Sequence, residues 1–230
     1  MDNQPKVIFE NENILVLEKP CGMVVNKADT TNNVATLQAW AENYLKLTDL
    51  GIGGRAGIVH RLDKDTSGVI VIAKTEEAFY NLQAQFKNRE VVKKYTALVH
   101  GFVKPALGTI NAPIDRNPFN RERFGIFPGG KEAVTDYKTV KNYGDKFTLL
   151  ELTPHTGRTH QIRVHMKHLG YPIVSDEFYA GRKQAREDLK WCPRQFLHAS
   201  YLKIKLINGE YKEFESNLPE DLRIALDLLQ

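Results

Sequence analysis

The chain has 230 residues, 42% of them hydrophobic and 26% charged, which is typical of a globular domain and excludes a disordered chain. No apolar run approaches the roughly 20 residues that span a membrane, and the N-terminus lacks the layout of a signal peptide, so we expect a cytoplasmic protein without membrane contact. The net charge of +4 permits a polyanionic partner without identifying one. Cys21 and Cys192 form neither a zinc-site spacing nor a disulfide framework.

The first part of the chain predicts a hairpin, two helices and a buried strand. A polar turn separates the apolar segments Val7–Phe9 and Ile14–Leu17, which is typical of a hairpin. Apolar residues at helical spacing follow Thr36, so we predict a helix that this threonine caps. Val69–Ala73 is wholly apolar and predicts a central strand, after which Thr75 caps a second helix.

The remaining chain mixes strands and helices without a strict β-α-β rhythm. We predict helices after Thr159, ending near Gly170, and near the C-terminus, beginning close to Pro219. Segments rich in β-branched and aromatic residues predict strands at 93–100, 134–140, 147–152 and 202–207. These elements indicate the α+β class. No repeat or long linker interrupts them, so we expect one domain over residues 1–230.

The densest polar stretch, HRLDKDTSG, occupies His60–Gly68 and leads directly into the predicted buried strand. Polar loops of this kind carry function more often than the elements they connect. A carboxylate at the edge of an apolar core stays ionised only when a cation or several donors hold it. Asp63 therefore needs a partner.

A second polar stretch, HTGRTHQIRVH, runs from His155 to His165 and places Arg158 in a loop and Arg163 on the following helix. A guanidinium keeps its proton and binds a carboxylate through two parallel hydrogen bonds. We therefore choose Arg163 as the partner of Asp63, a pairing that the sequence alone does not prove.

Three ordered motifs resemble those of the RluA-like family of RNA pseudouridine synthases. HRLDKDTSG is similar to the loop that carries the family's catalytic aspartate, here Asp63. KKYTALVHG resembles the motif whose tyrosine lies against the target base, here Tyr95, and GRTHQIRVH resembles the motif whose arginine pairs with the aspartate, here Arg163. Weaker matches extend the resemblance from about Glu10 to Leu206.

The resemblance implies a pseudouridine synthase fold, with a mixed, largely antiparallel central sheet flanked by helices and long loops. It also implies an isomerase that converts uridines of ribosomal or transfer RNA, folded as a stem-loop, to pseudouridine without a cofactor, nucleotide or metal. The target base must first be flipped out of its stack. We expect a monomer without the N-terminal S4-type RNA-binding domain of many relatives, and RNA contacts from Arg61, Arg158, His160 and Gln161.

The role of Asp63 in the chemistry stays open at this point. Its carboxylate can attack the base, attack the sugar, or act as a base toward the ribose. Tyr95 offers an aromatic face for the flipped base and a hydroxyl that can help to remove the C5 proton. Arg61, two residues before Asp63, can fill the vacated stack or hold a phosphate.

The sequence offers weaker support for other functions. A non-catalytic RNA-binding protein is disfavoured by the intact catalytic set, and a hydrolase of nucleosides or glycans would need a second carboxylate, for which Asp65 is the available candidate. His155, His160, His165 and His168 do not complete a metal site, because no cysteine or carboxylate cluster accompanies them. The GIGGRAG loop at 51–57 lacks the Lys-Ser/Thr ending of a phosphate-binding loop.

Two basic stretches have no assigned role in this scheme. Residues 115–131 carry four basic and two acidic side chains with three phenylalanines, and residues 182–194 carry five basic and two acidic side chains. Either stretch can lie over a polyanion.

Overall fold

The computed structural model describes residues 4–27, 35–46 and 54–229. The chain forms two compact units, of which the first comprises Met1–Val92 with Ala199–Asn217 and the second Lys93–His198 with Leu218–Gln230. The described strands pair largely antiparallel and alternate with five described helices, which confirms the predicted α+β class. The expectation of a single catalytic domain stays a prediction.

The first unit is built on a sheet in which β1, β2, β3 and β10 are successive neighbours and β11 pairs with β10. The strand β10 (Leu197–Lys205) enters this unit at Ala199. The other elements of the unit are β1 (Lys6–Glu10), β2 (Ile14–Lys19), α1 (Leu37–Leu45), β3 (Ser67–Ala73), α2 (Glu76–Lys87) and β11 (Tyr211–Glu215).

The structure confirms the predicted elements of the first unit and shows the contacts that stabilise them. All seven residues of β3 are buried, as its apolar sequence requires, and Phe79 and Leu82 of α2 belong to the same core cluster as Val69 and Val71. Each helix begins at a threonine whose hydroxyl accepts a main-chain N–H three residues later, at 3.1 Å for α1 and 3.2 Å for α2.

The second unit contains a sheet with strand order β4, β9, β8, β5 and a separate two-stranded hairpin, β6 and β7. Its elements are β4 (Val92–His100, in this unit from Lys93), β5 (Leu107–Asn111), β6 (Ile114–Arg116), β7 (Phe124–Ile126), β8 (Val134–Tyr143), β9 (Phe147–Pro154), α3 (Gln161–His168), α4 (Arg182–Asp188) and α5 (Glu220–Asp227). Along β9 every second residue is buried, which is the period of a strand with one face on a core. That core includes Leu150, Leu152 and Ile162, together with Leu222 of α5.

Some details differ from the sequence-based predictions. The helix expected after Thr159 begins at Gln161, because His160 adopts a left-handed conformation with φ of 57°. Five short elements, β5, β6, β7, α4 and β11, were not predicted. Residues 51–53 of the GIGGRAG loop lie outside the described residues. Within the described ranges, no helix is both long and apolar enough to span a bilayer.

Candidate active site

Asp63 lies in the loop that leads into β3, between side chains that anchor the loop in the core. Leu62 and Thr66 are buried, whereas Asp63 is half-buried. The main-chain N–H of Thr66 donates to the carbonyl oxygen of Asp63 at 3.2 Å, which closes a turn at this position. Arg61, two residues earlier, is exposed. The loop therefore gives Asp63 a fixed backbone and a partly accessible carboxylate.

The ammonium group of Lys19 ties this loop to the end of β2. Lys19 has 0% exposure, and its Nζ donates to the carbonyl oxygens of Pro20 at 2.8 Å, Met23 at 2.8 Å and Lys64 at 3.0 Å. The N–H of Gly22 donates to the same Lys64 oxygen at 2.9 Å. A buried ammonium needs acceptors for its three hydrogens, and these carbonyls supply them. No motif in the sequence predicts this role, although the lysine that ends the apolar strand ILVLEK is the feature that could have indicated it.

Both ends of the Asp63 loop are held by close contacts. At Gly68, φ is +118°, and a Cβ placed there would lie 2.1 Å from the carbonyl oxygen of Ala199, so only glycine fits. At the other end, Nε2 of His60 accepts the N–H of Val71 at 3.1 Å, and its ring stacks on Phe86 with centroids 4.6 Å apart. These contacts fix the loop to β3 and α2.

Tyr95 and Lys93 lie on one face of β4 in the second unit, because residues two apart in a strand point the same way. Tyr95 is half-buried and opposite Leu152 of β9. Nζ of Lys93 donates to the carbonyl oxygen of Thr156 at 3.3 Å. Burial lowers the pKa of Lys93 from 10.5 to about 8. This strand therefore presents an aromatic ring beside a lysine that titrates near physiological pH.

Arg163 on α3 forms a bidentate ion pair with Asp176. Its Nε lies 2.8 Å from Oδ2 of Asp176 and its Nη2 lies 3.0 Å from Oδ1. The two residues are only 6% and 1% exposed, respectively. Parallel hydrogen bonds of this kind fix the plane of the guanidinium as well as its position. Asp176 is a candidate site residue that the sequence analysis did not identify.

The turn that follows Asp176 also contacts Arg163. Oδ1 of Asp176 accepts the main-chain N–H groups of Phe178 at 3.0 Å and Tyr179 at 3.1 Å. The guanidinium carbon of Arg163 lies 5.5 Å from the ring centroid of Phe178 and 5.1 Å from that of Tyr179. Cations at this distance from an aromatic ring are attracted to it. One carboxylate thus positions the arginine and the two rings that surround it.

His160 lies at the start of α3 among aromatic side chains. Its Nδ1 is 2.9 Å from the hydroxyl of Tyr179, which also accepts the main-chain N–H of Phe124 at 3.0 Å. The centroid of the His160 ring lies 5.5 Å from that of Phe124 and 6.0 Å from that of Phe178. His160 is half-buried in this position.

Gln161 and Arg158 differ in what their side chains can offer to a ligand. Gln161 is buried, and its amide accepts hydrogen bonds from Thr156 and from the main chain of Arg158 and donates to Val134 and Thr135. Its polar atoms therefore hold the loop before α3. Arg158 is half-buried, and its Nε donates to the carbonyl oxygen of Glu132 at 2.9 Å.

Three of the four candidate metal-ligating histidines, His155, His160 and His165, have other contacts. Nδ1 of His165 lies 2.9 Å from the Thr135 hydroxyl and its Nε2 lies 3.0 Å from the carbonyl oxygen of Ala112. Burial lowers the pKa of His165, in keeping with a neutral ring between one donor and one acceptor. His155 instead contacts Asp136 at 2.6 Å. In the part of the chain that the structure describes, no three His, Cys, Asp or Glu side chains are grouped as a metal site would require.

The second unit brings together most of the predicted site residues. Arg158, His160, Gln161 and Arg163 lie at or just before the start of α3. Tyr95 belongs to the same unit, whereas Asp63 and Arg61 belong to the first unit. The pairing of Asp63 with Arg163 stays a prediction.

Two solved structures named as RNA pseudouridylate synthase domain proteins share this fold. Human RNA Pseudouridylate Synthase Domain Containing 1 matches with a TM-score of 0.75 over 94% of this chain and 84% of that chain, at 28% identity. Human RNA Pseudouridylate Synthase Domain Containing 4 matches with a TM-score of 0.76 over 97% and 92%, at 24% identity, and shows the fold alone.

The family follows from sequence comparison. The model of the RNA pseudouridylate synthase family matches residues 13–168, which include Asp63, Tyr95 and Arg163. The chain therefore belongs to this family of isomerases that act on RNA, as its three motifs predicted.

The relatives also include proteins named for a ribosomal substrate. An uncharacterized RNA pseudouridine synthase of Chloroflexus aurantiacus is 46% identical over 92% of this chain, which spans 65% of that protein's length. Ribosomal large subunit pseudouridine synthase D of Pseudomonas aeruginosa is 40% identical over 100% of this chain and 73% of its own length. An uncharacterized RNA pseudouridine synthase of Bacillus subtilis, YlyB, is 42% identical over 97% of this chain and 72% of its own length.

Proposed function

We propose that this protein isomerises specific uridines in RNA to pseudouridine, with Asp63 as the catalytic carboxylate acting on a flipped-out base. The observation that carries the proposal is the position of Asp63, Tyr95 and Arg163 within the residues that match the family model. The rigid attachment of the Asp63 loop supports it, because a catalytic group must be held close to its productive geometry.

The reaction needs few chemical groups. The bond between N1 of uracil and C1′ of ribose breaks, the base rotates, C5 bonds to C1′, and the proton on C5 leaves while N1 gains one. The reaction involves no net oxidation, and we propose that it proceeds without cofactor or metal. Asp63 acts as a nucleophile on the base or the sugar, or as a base toward the ribose.

Arg163 and Tyr95 are the proposed partners of Asp63 in this reaction. A guanidinium carries five N–H donors, and Asp176 accepts hydrogen bonds from Nε and Nη2 of Arg163. We propose that Arg163 also donates to Asp63 and keeps it ionised. Tyr95 stacks on the uracil, and its hydroxyl assists removal of the C5 proton.

Ribosomal RNA of the large subunit is the substrate favoured by the names of two relatives, from Pseudomonas aeruginosa and Haemophilus influenzae. A stem-loop of transfer RNA is the other candidate. Arg61, Arg158 and His160 contact the RNA in this proposal, and Gln161 supports the loop that carries two of them. We further propose that the protein is a monomer and works in the cytoplasm.

Tritium release from RNA labelled at C5 of uridine tests the proposed chemistry. The RNA is purified from cells that lack the gene, so that its target sites are unmodified. Asp63→Asn keeps the size of the side chain and removes its charge, and we expect it to lower the release rate about a thousandfold or more. The matched control is Asp65→Asn, which changes an exposed carboxylate of the same loop and should stay within about threefold of the parent rate.

Chromatography of the products beside the same assay separates the competing functions, because hydrolysis leaves the C5 tritium on the free uracil. Parent-like release by Asp63→Asn would rule out the proposed mechanism. Free uracil as the main product, with a loss of activity in Asp65→Asn, would indicate a hydrolase with two carboxylates. RNA binding without release by the parent protein would indicate a non-catalytic RNA-binding protein. Mapping pseudouridines in cells with and without the gene then identifies the RNA and the position.

A further inference from the structure

The two basic stretches of the sequence meet at one cleft in the second unit. The cleft has a volume of about 410 Å³, which lies within the roughly 300–1,000 Å³ of ordinary ligand sites. Arg123 reaches it from the hairpin of β6 and β7, and Arg182 and Arg186 reach it from α4. Segments about 60 residues apart in sequence thus contribute three guanidinium groups to one surface.

One face of α4 forms a wall of the cleft. Arg182, Ala185, Arg186 and Leu189 all line it, and their spacing of three and four residues places them on the same side of a helix. Ala185 is buried, so this side of α4 packs against the protein, whereas both arginines on it are exposed. The wall therefore presents two positive charges above an apolar base.

The orientation of α4 is set by Asp188, which is buried at its end. One carboxylate oxygen of Asp188 accepts the main-chain N–H of Ser175 at 3.0 Å and lies 2.8 Å from Nε2 of His100. Burial raises the pKa of Asp188, but the hydrogen bonds from His100, Ser175 and Gln184 outweigh it and hold this pKa below its ordinary value. The helix is thus tied to the segment that also contains Asp176.

Arg123 also lines the cleft, and one of its hydrogen-bond donors has no partner among the described residues. Its Nε is buried and has no hydrogen-bond partner among the described residues, and its guanidinium carbon lies 5.7 Å from the ring centroid of Phe178. The main chain next to it is fixed, because the N–H of Asn117 donates to the carbonyl oxygen of Arg123 at 2.8 Å. A guanidinium carries five N–H donors, and those of Arg123 other than the buried Nε–H can donate to an acceptor in the cleft.

The chemistry of the cleft matches a phosphodiester chain. Three arginines and one carboxylate, that of Glu177, line the cleft, so the charge of its lining is positive. Phe178 and Leu189 are 36% and 38% exposed and add apolar surface on which a base or ribose can lie. Arginines beside an accessible aromatic ring are typical of sites that bind single-stranded nucleic acid.

Phe178 also connects the cleft to the candidate active site. Its ring contacts Arg123 on the cleft side at 5.7 Å and Arg163 at 5.5 Å. A strand bound in the cleft would therefore lie next to the arginine assigned to catalysis.

We propose that this cleft binds the backbone of the RNA substrate beside the flipped uridine, with Arg123, Arg182 and Arg186 on phosphates and Phe178 against a flanking base or ribose. This inference rests on the proposed function, because it takes RNA as the substrate. The phosphates are held equally before and during the reaction, so the cleft contributes to RNA affinity and not to the chemical step.

Two double variants test the proposal. Both lose the same charge, one pair inside the cleft and the other outside it. Arg123→Gln with Arg186→Gln removes one charge from the hairpin and one from α4 inside the cleft. Arg121→Gln with Lys183→Gln does the same at exposed positions on the same two elements that do not line it. Binding is measured by fluorescence anisotropy with a fluorescein-labelled single-stranded RNA of mixed sequence over roughly 50 to 200 mM salt.

We expect the cleft pair to weaken RNA binding about 10- to 100-fold. The slope of log K against log salt should become shallower by about 1.4, since each lost phosphate contact removes about 0.7. The control pair should change the affinity less than about threefold. In tritium release, the cleft pair should raise KM and keep kcat within about threefold.

Equal affinities of the cleft pair and the control pair would overturn the proposal, whether both bind like the parent or both bind weakly. A fall in kcat without a change in KM would overturn it as well. If Arg123→Gln lowers folding stability, Arg182→Gln with Arg186→Gln, compared with Lys183→Gln and Lys190→Gln, repeats the test at exposed positions. Because binding is measured without turnover, a parent protein that binds RNA but releases no tritium would contradict the proposed function alone.

Discussion

The loop of Asp63 and the surroundings of Arg163 are held in place by different means. Around Asp63 the contacts involve the main chain, through carbonyl oxygens bound by Lys19 and the close approach of Gly68 to Ala199. Around Arg163 the contacts are between side chains, through the carboxylate of Asp176 and two aromatic rings.

The difference predicts how each region responds to substitution. A clash with the main chain cannot be relieved by rotating a side chain, so a substitution that adds atoms against the main chain at Gly68 acts on folding. A side-chain network can lose one member and keep its backbone, so changes around Arg163 act more on the geometry of the site than on the fold. Substitutions that affect both regions in the same way would contradict this contrast.

Gly68→Ala should have the largest effect. The added Cβ meets the main chain of Ala199 at 2.1 Å, and φ of +118° is itself unfavourable for alanine. We expect the free energy of unfolding to fall by about 4 kcal/mol or more, or the protein not to fold. Chemical denaturation followed by circular dichroism measures this loss.

The matched control is Gly209→Ala in the same unit. Its φ of +88° is also left-handed, but the nearest atom to an added Cβ is the side-chain Cε of Lys205 at 3.9 Å. The expected loss is about 1 to 2 kcal/mol, from the backbone conformation alone. Equal losses at the two glycines would show that the approach to Ala199 does not constrain the loop.

Asp176→Asn should have a smaller effect on stability and a clear effect on turnover. An amide keeps one acceptor and loses the charge, so we expect about 2 to 3 kcal/mol less stability. Because Arg163 then loses its fixed plane, kcat in tritium release should fall about 10- to 100-fold with little change in KM. Asp136→Asn is the control, since this exposed carboxylate of the same unit contacts His155 and Thr109 and should cost less than about 1 kcal/mol. A rise in KM with unchanged kcat would assign Asp176 to RNA binding.

The same contrast explains what the sequence could predict about the fold. The strands β3 and β9 were predicted because consecutive residues show their burial, as an unbroken apolar run in β3 and as alternation in β9. The helix α4 was missed because only Ala185 and Asp188 of its seven residues are buried, which leaves no apolar stripe. In β11 only Phe214 is buried, so alternation could not identify the strand.

For the candidate site, local motifs sufficed for some residues and failed for others. Asp63, Tyr95 and Arg163 were chosen from short dense motifs. Lys19 and Asp176 were not predicted as site residues because charged side chains are usually exposed. Only the folded chain shows that both are buried among partners. The partner of Asp176 lies 13 residues earlier on another element, a relation that no local pattern contains.

Lys93→Met should have the smallest effect, and one of opposite sign. Burial lowers the pKa of Lys93 from 10.5 to about 8, so at pH 7 the folded protein carries a charge that burial disfavours. Methionine removes that charge at similar size, and we expect the variant to be about 1 to 3 kcal/mol more stable at pH 7. The unfolded parent binds more protons than the folded parent between pH 8 and 10.5, so parent stability rises relative to the variant across this range and the difference shrinks. Denaturation of both proteins at several pH values measures it, with Lys94→Met, at the neighbouring half-buried lysine of β4, as the control. A stability difference between the two proteins that does not change with pH would show that the ammonium of Lys93 is solvated and is not buried beside Tyr95.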